Sequence, residues 1–167
     1  MKIFLVGFMG SGKTTIGKKL ANYLKYEFVD LDKLVEFKAG MSIRDYFEIH
    51  GESAFRELEK EVLQMAHLGE NAIIATGGGA PCYDDNMAWM NANGQVVYLS
   101  LPPKALAVRL ENSKADRPLI RDLKGEHLVD FITNKLMERE PFYNQSKFVV
   151  SASDLTAERL AFYLNLG

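Results

Sequence analysis

The stretch Gly7-Phe8-Met9-Gly10-Ser11-Gly12-Lys13-Thr14 constrains this chain more than any other. It matches GxxxxGK[ST] at every fixed position, and its setting fits as well. An apolar run at residues 3–6 precedes it, while Ile16, Leu20 and Leu24 recur at helical spacing after it. A buried strand therefore feeds a loop whose glycines let backbone N–H groups turn inward. The loop opens a helix whose N-terminus adds orphan N–H donors and the positive end of its dipole. Such a turn cradles the phosphates of a nucleoside triphosphate. Gly10, Ser11, Gly12, Lys13, Thr14 and Thr15 are the expected phosphate contacts, with Lys13 a point charge toward the outer phosphates and the Thr14 hydroxyl a ligand for Mg²⁺.

Four further apolar runs, at 28–31, 72–75, 96–101 and 148–151, are nearly continuous. They suit a parallel sheet covered on both faces. Helical stripes separate them. Phe55, Leu58, Val62 and Met65 form one, with Ser42 and Asp45 as a capping box further upstream. Leu106 and Leu110 follow Pro103, which fits a first helical turn. Leu128, Ile132 and Leu136 form another stripe, and Leu160 and Leu164 the last. The alternation predicts a three-layer α/β/α domain over residues 1–167, wound around five parallel strands. Two stretches exceed what an alternation needs. Residues 32–62 hold extra helices, which read either as a substrate-binding subdomain or as an elaborated crossover. Residues 111–124 are charged and contain Arg117-Pro118, and read as a lid or as a solvated loop.

A net charge of −2 over 167 residues gives no whole-protein attraction to nucleic acid or an anionic membrane. The apolar opening is too short to span a bilayer and lacks a cleavage pattern, and the single Cys82 reads as a small buried hydrophobe in a reducing compartment. A cytoplasmic protein is expected. With no apolar stripe evident for a partner, a monomer is expected too.

The other elements narrow the class of nucleotide-binding protein. Thr133-Asn134-Lys135-Leu136-Met137 lacks the aspartate of a guanine-reading segment and sits in a helical stripe. Asn134 and Lys135 therefore read as a solvated face. The 72–75 strand runs into Thr76-Gly77-Gly78-Gly79, not into the magnesium aspartate of a motor ATPase. Carboxylates stand instead at Asp30 and Asp32, two apart on an expected strand and so pointing to one side. One suits a magnesium water shell and the other an acceptor hydroxyl, or Asp32 simply caps the next helix. Gly77, Gly78 and Gly79 either admit a ligand to the backbone or make a tight turn.

Taken in order, GFMGSGKTTIGKKLA, FVDLD at 28–32, GMSIRDYFEIHGESAFRELEKEVL at 40–63, ATGGGA at 75–80, RPLI at 117–120 and EREPFY at 138–143 resemble the shikimate kinase family, within the nucleoside-monophosphate-kinase-like P-loop proteins. The resemblance implies ATP and shikimate as substrates, Mg²⁺ as cofactor, and phosphorylation of the 3-hydroxyl in the pathway to chorismate and the aromatic amino acids. It implies strand order 2-3-1-4-5. It also implies that Asp32 meets the reacting hydroxyl and Asp30 serves the metal through water. Arg56 and Arg139 would clamp the substrate carboxylate, and Gly77, Gly78 and Gly79 would contact the ring, chiefly Gly78. Lys13 and Arg117 would act on the transferring phosphoryl, and Arg109 would stack on adenine.

Each arginine also has a plainer reading. Arg56 has Glu52 and Glu59 within reach on its helix, Arg139 has Glu138 and Glu140, and Arg117 could be a loop charge. The loop Ser151-Ala152-Ser153-Asp154 departs from the family in lacking a positive charge. Phe47 and Phe55 are either pocket or core aromatics, while Trp89 and the methionines read as packing. Gluconate or nucleoside-monophosphate kinases of the same fold, and a nucleotide-dependent switch, are the competing functions.

Overall fold

Ile3, Phe4, Leu5 and Val6 expose no surface at all, and a strand buried on both faces must lie inside its sheet. In the computed structural model, which describes residues 1–65, 68–113 and 117–166, that strand is the middle of five. They are β1 (Lys2–Val6), β2 (Glu27–Asp30), β3 (Ala72–Ala75), β4 (Gln95–Ser100) and β5 (Phe148–Ser151). Their order is β2-β3-β1-β4-β5, and every neighbouring pair is parallel. The expected strands and their order are found, with ends shifted by no more than one residue.

Among the described residues, seven α-helices surround the sheet: α1 (Lys13–Leu24), α2 (Leu31–Ala39), α3 (Ile43–Met65), α4 (Asn86–Asn93), α5 (Pro103–Glu111), α6 (Gly125–Tyr143) and α7 (Ala157–Tyr163). Short 3₁₀ turns occupy Ala80–Cys82 and Pro118–Ile120. Helices α1 and α7 pack on each other, while α3, α4 and α6 meet around the Ala80–Cys82 turn. Within α3 the backbone breaks at Gly51, where φ is 83° and ψ is 175°. The path from β2 to β3 therefore carries three helical pieces, as the sequence led us to expect. Of the stretch 111–124, residues 114–116 lie outside the described residues.

Several local expectations are corrected. Leu31 begins α2 instead of ending β2, so Asp32 sits in the first turn of a helix and not on extended backbone. The cap of α2 is Asp30, whose carboxylate accepts from the Lys33 N–H at 3.4 Å. Ser42 does cap α3, accepting from the Asp45 N–H at 3.1 Å, but the first helical N–H, of Ile43, donates to Glu36 Oε2 at 2.9 Å. A glutamate from α2 thus satisfies a second free N–H at the start of α3. Trp89 packs edge-on against Phe4, as expected, and Met87 and Met90 are buried, but Met65 and Met137 are largely exposed. So is Phe37, at 88%.

Asn86 ties this frame to the glycine-rich loop before it. It is fully buried, its Nδ2 donates to the Ala80 carbonyl at 2.9 Å, and its Oδ1 accepts from Gln64 Nε2 of α3 at 3.1 Å. Replacing Asn86→Ala strands that carbonyl. We expect a loss of about 1–3 kcal/mol, read as a lower urea midpoint at unchanged slope.

Candidate active site

The five strands run the same way, so their C-terminal ends share one edge, where ligands of such sheets collect. At that edge the loop after β1 takes backbone angles that only glycine adopts freely: φ is 148° at Gly7, 82° at Gly10 and 96° at Gly12. A cavity of about 560 Å³ opens there. Its lining includes Gly10, Ser11, Gly12, Lys13, Thr14 and Thr15 from the loop and the start of α1. Asp30 and Asp32 enter from β2 and α2, Thr76, Gly77 and Gly78 from beyond β3, Arg109 from α5 and Arg117 from the segment before α6.

Lys13 Nζ donates to the Gly7 and Phe8 carbonyls at 2.6 and 3.0 Å, folding back over its own loop. Burial pulls its pKa down to about 8. The charges of Asp32 and Asp30 oppose that shift, and Arg117 and Arg139 add to it. The Asp32 carboxyl is pushed the other way, above the usual carboxylate range, first by burial and then by Asp30, with Lys13 opposing. A carboxylate held more basic than normal is a better proton acceptor. Asp30 and Asp32 thus reach one cavity despite the changed backbone, because the turn from β2 into α2 projects both toward it.

The run Gly77, Gly78, Gly79 is where three other side chains arrive. A Cβ at Gly77 would stand 2.8 Å from Asp32 Oδ1, one at Gly78 3.0 Å from Arg139 Nη1, and one at Gly79 2.6 Å from Arg56 Nη2. Any side chain there would push these groups away. The glycines thus leave room for these side chains, and the run also makes turn bonds, Gly77 to Ala80 and Gly79 to Cys82. Arg56, Gly79 and Arg139 do not line the cavity itself; Arg139 stands against Gly78, which does, and Arg56 against Gly79 next to it.

Arg56 Nη1 donates to Glu59 Oε1 at 2.7 Å, with Glu59 only 2% exposed. The ion pair along the helix is real, yet it leaves Arg56 Nε buried without a partner. The ring of Tyr83 lies 4.1 Å from the guanidinium centre, and its hydroxyl donates to Glu52 at 2.9 Å. Arg139 Nη1 and Arg117 Nε are likewise buried and unpaired. Glu138, one of the expected partners of Arg139, instead pairs with Lys135 at 3.3 Å. Phe55 is a core residue with Phe47 half-exposed against it, and neither lines the cavity.

Arg109 spends its edge on backbone. Nη1 donates to Ser11 at 3.2 Å and Nη2 to Ala152 at 3.2 Å, so the side chain straps the phosphate loop to the loop after β5. Only its flat face is left for stacking. Cys82 is half-buried instead of fully buried, and burial raises its thiol to about 11. Sequence reasoning missed Tyr83, Tyr143 and the depth of Glu59. Tyr143 lies one helical turn beyond Arg139, a spacing that does signal a shared face.

Among the described residues, no three acidic, histidine or cysteine side chains cluster into a self-contained metal site. The hard oxygen donors lining the cavity beside the phosphate loop include the Thr14 hydroxyl and the Asp30 carboxylate. They suit Mg²⁺, which keeps water and takes most of its ligands from phosphate.

A family model described as Shikimate kinase matches residues 9–164. A shikimate kinase from Bacteroides fragilis is 44% identical over 155 residues, covering 93% of this chain and 87% of the relative. The crystal structure of shikimate kinase from Bacteroides thetaiotaomicron superposes with a TM-score of 0.95 at 40% identity, covering 99% of each chain. Shikimate kinase from Acinetobacter baumannii in complex with shikimate gives 0.83 at 35% identity, covering 98% of this chain and 93% of that one.

A lysine with a pKa of about 8 makes phosphate binding sensitive to pH. Below that value Lys13 carries its charge, and above it the charge is lost. Affinity for ATP should fall as pH rises through about 8, and binding there should take up a proton. Calorimetry in two buffers of different ionisation enthalpy reads the uptake. Unchanged affinity from about pH 7 to about pH 10 without proton uptake would show that Lys13 does not titrate there.

Proposed function

The chain belongs to the shikimate kinase family, and we propose that it moves the γ-phosphoryl of ATP to the 3-hydroxyl of shikimate, giving shikimate 3-phosphate and ADP. This is a step toward chorismate and the aromatic amino acids. The observation that carries the reading is the set of buried guanidinium donors left unpaired on Arg56, Arg139 and Arg117, beside a basic Asp32. A buried cationic donor without a partner costs stability, which an anionic ligand would recover.

Two of these arginines flank the glycine run on the acceptor side. Planar forks suit a planar carboxylate, and arginine keeps its charge when desolvated. Arg56 and Arg139 would hold the shikimate carboxylate, with Gly77, Gly78 and Gly79 close to the ring. Asp32 would accept or orient the proton of the attacking hydroxyl. On the nucleotide side, the phosphate loop and the first turn of α1 would cradle the β- and γ-phosphates. Lys13 would exchange the Gly7 and Phe8 carbonyls for phosphate oxygen. Arg117 would neutralise charge on the transferring phosphoryl, and the flat face of Arg109 would meet adenine.

Mg²⁺, held by Thr14 and through water by Asp30, would supply a positive charge to the phosphates. Residues 32–62 would form the acceptor-binding helices, and 111–124 the lid that closes over bound ATP and keeps water from the phosphoryl group. No described helix is long and apolar enough to cross a membrane. A monomer is the simplest assembly for such an enzyme, and the use of ATP suits the cytosol. Gluconate and nucleoside-monophosphate kinases are not favoured. The family match points elsewhere.

Two variants test the division of labour. Asp32→Asn should keep nucleotide binding while kcat falls by roughly 10²–10⁴. Transfer near the starting rate would remove Asp32 from the proton's path. Arg139→Ala should raise KM for shikimate and leave KM for ATP largely unchanged, whereas loss confined to ATP would contradict the carboxylate role.

A further inference from the structure

Three consecutive glycines allow Asp32, Arg139 and Arg56 to come close, but they also make the loop the least restrained backbone in the site. Its shape depends on what holds its three carbonyls. The Gly77 carbonyl accepts from the Ala80 N–H at 3.2 Å and the Gly79 carbonyl from the Cys82 N–H at 3.0 Å. Both are local turn bonds. The middle carbonyl, of Gly78, is held by a side chain from across the fold: the Tyr143 hydroxyl donates to it at 2.5 Å.

Tyr143 is held in place for that contact, and its hydroxyl also hydrogen-bonds with the Arg139 side chain. It exposes no surface, and its ring lies against Tyr98 of β4 with centroids 5.0 Å apart, so it cannot swing aside. Burial raises its pKa well above the ordinary phenol value, with the Arg139 charge opposing, so the hydroxyl remains a donor throughout the working range. Arg139 and Tyr143 are four residues apart on α6 and share a face. Arg139 reaches the α-carbon of Gly78, and Tyr143 its carbonyl. The Gly78–Gly79 peptide is trans, so fixing the carbonyl toward Tyr143 turns the Gly79 N–H the opposite way.

We propose that Tyr143 is a positioning residue for acceptor recognition: its hydroxyl fixes the middle peptide of the glycine run, and so the surface that Arg139 rests on and the acceptor meets. The inference rests on the shikimate reading above. It assigns the hydroxyl a role in acceptor affinity that packing of the ring does not supply. Nucleotide affinity should change less, because the Tyr143 bond goes to the Gly78 carbonyl and not to the phosphate loop that lies beside Gly78.

The test is steady-state kinetics of Tyr143→Phe, which keeps the ring and removes the donor, together with its melting temperature. KM for shikimate should rise by about tenfold, the scale of one lost hydrogen bond, with KM for ATP changed less than about twofold. In an Arg139→Ala background the same substitution should cost less, because both residues act on Gly78. Incorporating p-aminophenylalanine at position 143 restores a donor, and p-methylphenylalanine matches its size without one. The first should recover shikimate affinity and the second should not, even if Tyr143→Phe itself folds poorly. Unchanged KM for shikimate in Tyr143→Phe, or equal behaviour of the two p-substituted forms, would overturn the proposal. Failure of the unmodified enzyme to use shikimate would overturn the acceptor assignment first, and this inference with it.

Discussion

The closeness of three side chains to three successive glycines governs the acceptor side of this protein. Asp32 comes from the start of α2, Arg56 from α3 and Arg139 from α6, and they meet at consecutive positions of one loop. A single Cβ at any of the three would intrude on a charged group at 3.0 Å or less. The elements around the loop follow from this. The Ala80–Cys82 turn gathers α3, α4 and α6, and Asn86 and Tyr143 grip the backbone on either side. The loop is free of side chains where ligand and arginines need room, and it is restrained by bonds from outside.

The second constraint is charge kept out of water. Burial lowers Lys13 and Arg117 and raises Asp32 and Glu59, so each group is pushed toward its neutral form while its oppositely charged neighbours pull it back. Arg56 and Glu59 satisfy each other in part, and several arginine donors remain unmatched. A site in this state has a use for anions at two places. One is the cradle at the start of α1, where backbone N–H groups and Lys13 converge. The other lies beside the glycine run. The basic Asp32 stands between them, where a hydroxyl would have to lose its proton.

The sequence made the sheet legible because β1, β3 and β4 are buried on both faces and read as unbroken apolar runs. It made the phosphate loop legible because a glycine pattern between strand and helix has few other uses. The turn from β2 into α2 was harder. Leu31 is apolar and fully buried in either state, so periodicity could not show that the strand stops at Asp30. Both aspartates nevertheless line one cavity, from a backbone geometry other than the one expected. Arg56, Arg117 and Arg139 were indistinguishable from surface charges until the motifs around them were read as a family resemblance. What no local pattern carried was the long-range polar bonding, from Tyr143 to Gly78, Asn86 to Ala80 and Arg109 to Ser11 and Ala152. Each joins segments whose meeting depends on the whole fold or on a turn that the sequence did not announce.

The central claim is that the arginines, Asp32 and the glycine run together select one acceptor. Coupled ADP release measures this directly, with ATP and magnesium present and shikimate, gluconate or a nucleoside monophosphate supplied in turn. The account predicts that shikimate alone raises ADP release well above the rate of ATP hydrolysis without acceptor. No stimulation by shikimate, or equal stimulation by gluconate or a monophosphate, would contradict it.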